Sequence, residues 1–220
     1  MSDYELAIFG GSKVRENEFR SLPYVTQEMK VRLSEMIDTH CFSQFIGSPI
    51  VGTRELLNVP SEKIANISED VSFFGGKRVR DFEAHWAEYF DTSYAVTVNS
   101  ATSGLTAAVL ASNIRNGEEV IMTPFSFTAT ASSVVSANAV PVFCDIDLET
   151  FCIDPNLIDD LVGSKTAAVM PVHWNGNGSG IEEIISIGKD RGLIVIEDAA
   201  QSPGIKVRGR MLGTFGHVGV

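Results

Sequence analysis

Residues 71–220 read as an α/β domain with a mainly parallel sheet flanked by helices, and three observations carry that reading. Apolar runs of strand length recur at Tyr94–Val98, Val120–Thr123, Val140–Phe143, Ala167–Val172 and Leu193–Ile196. These runs are apolar on both faces, as strands covered on each side of a sheet are. Helical stretches fill most of the gaps, and regular alternation of the two implies parallel pairing through right-handed crossovers.

The elements follow in chain order. Residues 1–70 form a separate N-terminal segment, in which Glu28–Ile37 has the 3.6-residue period of a surface helix. Gly10-Gly11, Gly47-Ser48-Pro49 and Val59-Pro60-Ser61 punctuate the rest. Beyond the strand at 94–98, Leu105, Ala108, Val109 and Ser112 share one helical face, and a second helix runs through Thr130–Asn138. A third opens at Asp154-Pro155, an acidic N-cap with proline in the first helical position. A fourth covers Ile181–Lys189 and stops at Gly192. In such a sheet the strand carboxyl ends lie along one edge, where ligands bind.

Composition narrows the function. The 220 residues carry 17 Lys+Arg against 28 Asp+Glu, a formal net charge of −11 that argues against general nucleic-acid binding. No apolar stretch approaches the roughly 20 residues of a membrane span, and Asp3 and Glu5 spoil a basic signal-peptide start. The expectation is a cytoplasmic protein with no membrane partner. Cys41, Cys144 and Cys152 show no C-x-x-C spacing, and the four histidines no metal motif, so no metal site is expected.

Four stretches fall at the predicted ligand edge. Asn99-Ser100-Ala101-Thr102-Ser103-Gly104 brings small residues to a helix start, which suits a phosphate or an unliganded N-cap at Thr102 or Ser103. In Pro124-Phe125-Ser126-Phe127, the two rings either plug the core or stack on a flat ligand. Glu197 and Asp198 end a buried run, and alternation points them to opposite faces. One meets solvent or a basic partner while the other faces the ligand edge, unless Asp198 caps a helix. Gly176–Gly180 invites a dinucleotide reading, but Ile181 stands where the third glycine of G-x-G-x-x-G belongs.

Taken in order, Asn99–Ser103, Thr123–Thr130, Pro171-Val172-His173 and Ile196-Glu197-Asp198-Ala199-Ala200-Gln201 resemble the DegT/DnrJ/EryC1/StrS family of sugar aminotransferases. Val79–Glu83, Asp145-Ile146-Asp147 with Thr150, and Val207–Arg210 before Gly213 extend the likeness from about residue 75 to the end. The resemblance implies the fold type I of pyridoxal-phosphate-dependent transferases, with 71–220 as part of the cofactor-binding large domain. It implies that backbone groups of Ala101 and Thr102 hold the phosphate of pyridoxal 5'-phosphate and that Phe127 stacks on its ring. Asp198 would pair with the ring nitrogen, and Gln201 would lie near the ring hydroxyl.

The implied reaction moves an amino group from an amino acid such as glutamate to a keto carbon of a nucleotide-linked sugar, in a homodimer. The family's Schiff-base lysine follows the next strand, and the sequence stops at Val220 before it. The expectation is therefore the N-terminal part of a longer protein, without the small C-terminal domain, inactive by itself. Three alternatives stay open: a sugar dehydratase with histidine in place of that lysine, a non-catalytic cofactor-binding protein, and a nucleotide-binding domain built on Gly176–Gly180.

Overall fold

The computed structural model describes residues 11–13, 15, 17, 24–38 and 76–220. The chain divides into two compact units, Met1–Gly76 and Lys77–Val220. In the first, the expected helix is present as α1, Gln27–Asp38, with the Thr26 hydroxyl accepting from the Met29 amide. The turns expected at 47–49 and 59–61 lie outside the described residues.

The second unit opens with α2 (Lys77–Phe90) and α3 (Ala101–Ala111). Next come β1 (Glu119–Met122), α4 (Thr128–Ser136) and β2 (Val140–Phe143). A short 3-10 turn, Pro155–Leu157, leads into α5 (Ile158–Leu161), and β3 (Thr166–Met170), α6 (Ile181–Arg191) and β4 (Ile194–Glu197) follow. A hairpin of β5 (Lys206–Val207) and β6 (Arg210–Met211) precedes β7 (Val218–Gly219).

Five strands pair in the order β2-β1-β3-β4-β7, every pair parallel. Period-2 alternation splits the core into two layers. Val120, Met122, Ala168, Met170 and Ile196 face Leu105, Val109 and Val134 of α3 and α4. Ile121, Val169 and Val195 face Ile158 and Ile184 of α5 and α6. Burial on both sides is why these strands read as continuous apolar runs. The order reverses between β1 and β3, which makes their carboxyl ends the topological switch point.

Local chemistry explains the boundaries. Asp154 accepts from the Asn156 amide ahead of Pro155 as expected, and Gly192 ends α6 at φ +68°, a left-handed angle that suits glycine. Asp147 Oδ1 accepts from the amides of Glu149 and Thr150, which lowers its pKa and fixes the turn after β2.

Two expectations need correction. Residues 94–98 form no strand and pair with no described strand, and Val96 is 80% exposed. Apolar character alone does not make a strand, because its amides need a paired neighbour. Here Glu83 Oε1 from α2 accepts from both the amide and the hydroxyl of Thr97, at 2.7 Å each. Phe125 and Phe127 are not core plugs: Phe127 is 72% exposed, and Phe125 packs against Trp174 and Phe151 at the surface.

Candidate cofactor site

A cleft of about 330 Å³ opens at the carboxyl edge of the sheet. Three chain segments line it: Ala101, Thr102 and Leu105 of α3; Ser126, Phe127 and Ala129 around the start of α4; and Asp198, Ala200 and Gln201 after β4. All five residues that the family resemblance assigns to a cofactor are among them. The glycines of 176–180 are not. A side chain at Gly178 would run into Leu212 and Val207, so close packing accounts for that glycine.

The α3 end offers anion-binding groups. Ser100, not Thr102 or Ser103, is the N-cap: its hydroxyl accepts from the Ser103 amide at 3.2 Å. The amides of Ala101 and Thr102 begin the helix, with no carbonyl one turn earlier to receive them. Both residues line the cleft at the helix end where the macrodipole is positive, which favours a phosphate.

At the end of β4, alternation separates the two acids. Glu197 is fully buried, and its Oε2 meets His173 Nε2 at 2.7 Å. The amides of Gly213 and Gly216 donate to Oε2 and Oε1, at 2.9 and 2.6 Å. Both oxygens are therefore engaged, and the loop before β7 is fastened to β4. The basic partner expected for one of the acids is His173.

Asp198 faces the cleft. No helix follows it: residues 200–205 form turns, so it caps nothing. Its backbone bridges Val172, and its Oδ2 accepts from the Thr130 hydroxyl at 2.7 Å. Oδ1 has a long contact, 3.4 Å, from the Ala200 amide. Burial pushes the Asp198 pKa up, while the Thr130 and Ala200 hydrogen bonds and the nearby His173 pull it back.

Gln201 is oriented too. Its Oε1 accepts from the Asn175 amide at 2.9 Å, which orients the side chain and leaves its NH2 free to donate. Asn175 holds φ +50°, a left-handed conformation that asparagine tolerates better than most residues.

The sequence reading missed Ser100, Ser126, Thr130 and Asn175. Ser126 and Thr130 carried a signal, being hydroxyls four apart at a helix start, with Thr130 on the stripe that buries Ala129 and Val134. A buried hydroxyl needs a partner, and only the fold shows that the partner is Asp198.

A parallel sheet in this order, with its ligand cleft between the α3 start and the β4 end, is the large-domain fold of pyridoxal-phosphate-dependent aminotransferases. Within that class the chain belongs to the DegT/DnrJ/EryC1/StrS aminotransferase family, which residues 60–220 match. It is 36% identical over 143 residues to GDP-perosamine synthase of Escherichia coli O157:H7, covering 65% of this chain and 39% of the relative. An aminotransferase from Psychrobacter cryohalolentis superposes with a TM-score of 0.72 at 30% identity, over 91% of this chain and 43% of that one. NtdA of Bacillus subtilis, solved with the cofactor PMP bound, superposes with a TM-score of 0.60 at 34% identity, over 63% and 32%. The chain spans about two fifths of the length of the curated relatives it matches. No described helix is long and apolar enough to cross a membrane.

Proposed function

We propose that residues 71–220 form the cofactor-binding domain of a cytoplasmic, homodimeric sugar aminotransferase. Its donor is an amino acid such as glutamate, and its acceptor is a keto carbon of a nucleotide-linked sugar. One observation carries the reading: the Asp198 carboxylate, the amino end of α3 and the exposed Phe127 ring line a single cleft.

These residues fit pyridoxal 5'-phosphate in charge and order. The amides of Ala101 and Thr102 would hold the phosphate, and the Phe127 ring would lie against the pyridine and fix its plane. Asp198 would accept a hydrogen bond from the protonated ring nitrogen and so raise the nitrogen's basicity, as a nearby carboxylate does. Gln201, with its carbonyl engaged by Asn175, would donate to the ring hydroxyl. When bound, the cofactor supplies an electron sink for bonds broken at the carbon that carries the amino group. GDP-perosamine synthase, a relative named for an amino-sugar product joined to a nucleotide, supports the choice of acceptor.

No lysine is among the described residues lining the cleft. Turnover is therefore measured on the longest native form of the protein, with ¹⁵N-glutamate and a nucleotide-linked keto sugar. Label is expected in the sugar product, with Asp198→Asn slowing its appearance on the order of a hundredfold or more. A product that has lost oxygen without gaining nitrogen, or undiminished turnover in Asp198→Asn, overturns the reading.

A further inference from the structure

Thr130 is fully buried on α4, and its hydroxyl lies 2.7 Å from Asp198 Oδ2 and 2.7 Å from Ser126 Oγ. A hydroxyl has one proton to give, and an ionised carboxylate only accepts. The Thr130 proton therefore goes to Asp198, and Ser126 must donate to Thr130. The result is a directional relay from the rim of the cleft to the carboxylate, joining residues 68 apart in sequence. With Oδ2 fixed by a charge-assisted bond and Oδ1 held only at 3.4 Å by Ala200, one oxygen stays available to a donor in the cleft.

We propose that Thr130 is a positioning residue for the cofactor: its hydroxyl, backed by Ser126, holds Asp198 in the ionised, cleft-facing form that pairs with the ring nitrogen. The proposal rests on the cofactor reading of the cleft. Around Asp198, α3 and α4 bring no titratable side chain, and neither does the turn 199–202. The end of β3 brings His173, and β4 brings Glu197, whose oxygens are already engaged by His173 and two amides. Thr130 is thus the main local counterweight to the burial that drives Asp198 towards its protonated form, in which it is a poor partner for a protonated nitrogen.

The test uses pyridoxamine 5'-phosphate, which needs no lysine to bind, labelled with ¹⁵N in the ring and added to the full chain. Affinity is read by fluorescence, and ring protonation by the nitrogen chemical shift against pH. Thr130→Val is expected to weaken binding about tenfold and to lower the protonation midpoint by about one pH unit, while Thr130→Ser matches wild type. In an Asp198→Asn background, Thr130→Val is expected to add nothing.

If the wild-type chain does not bind the probe, or Asp198→Asn leaves affinity and midpoint unchanged, the cofactor reading fails and takes the proposal with it. If Asp198→Asn has its effect but Thr130→Val titrates like wild type, or Thr130→Ser behaves like Thr130→Val, only the role of Thr130 is overturned. Should Thr130→Val not fold, Ser126→Ala carries the comparison. A lowered midpoint supports the relay, and an unchanged one overturns it.

Discussion

At position 198 the fold holds a carboxylate that is 5% exposed, with its pKa raised above the usual range chiefly by burial. The sign of the consequence follows from proton counting. A raised native pKa means that the folded chain binds more protons than the unfolded one, so stability falls as pH rises through that interval. The penalty is complete above the native pKa and is relieved below the unfolded value of about 3.9. Asp198→Asn, without cofactor, should therefore raise the unfolding temperature at pH 7 and lose that advantage as pH falls towards 4, in a calorimetric pH series. An advantage that grew on acidification would contradict the raised pKa. The acid was visible in the sequence because two carboxylates ended an apolar run. Its hydroxyl partner was not, because Thr130 and Asp198 lie 68 residues apart and meet only in the folded chain.

Among the elements, β7 shows how little sequence a strand needs when its neighbours define it. It spans two residues, yet the Val220 amide donates to Glu197 O, and Val220 O accepts from Ala199 on the far side of Asp198. A methyl group at Gly219 would collide with the backbone carbonyl of Gly213, which Glu197 fastens in place through the Gly213 amide. Gly219→Ala should cost about 3 kcal/mol or more and loosen the Asp198 turn, measured as a lowered urea midpoint. Gly104→Ala is the control. Its methyl would meet side-chain carbons, Val220 Cγ1 at 2.6 Å and Val98 Cγ2 at 3.3 Å, rather than a backbone carbonyl, and α3 gains about 1 kcal/mol of helix propensity, so the urea midpoint should fall less than in Gly219→Ala. The segment 94–98 makes the opposite point. Its composition is that of a strand, but no described strand pairs with it, and Glu83 of α2 takes the Thr97 amide instead.

At the scale of the whole molecule, a net charge of −11 is a repulsive load on the compact state. The described ion pairs on the surface, such as Arg191–Asp159 and Arg208–Glu182, are partly or well exposed and contribute little to offset it. Raising NaCl from about 10 mM to about 150 mM shortens the screening length from roughly 30 Å to 8 Å, so the unfolding temperature should rise. A fall would mean that attractive pairs dominate.

By itself the sequence determined the alternation of buried strands and helices, and three of the four short stretches it marked, around Ala101, Phe127 and Asp198, line the cleft. Those properties are written locally, in apolar periodicity, small residues at a helix start and acids at a strand end. Tertiary structure alone decided strand order, the pairing of Glu197 with His173, the Thr130 bond to Asp198, and the unpaired state of 94–98. Each of these depends on a partner tens of residues away. Hydrogen bonds and ladder contacts are properties of pairs, and no local pattern specifies which distant group completes them.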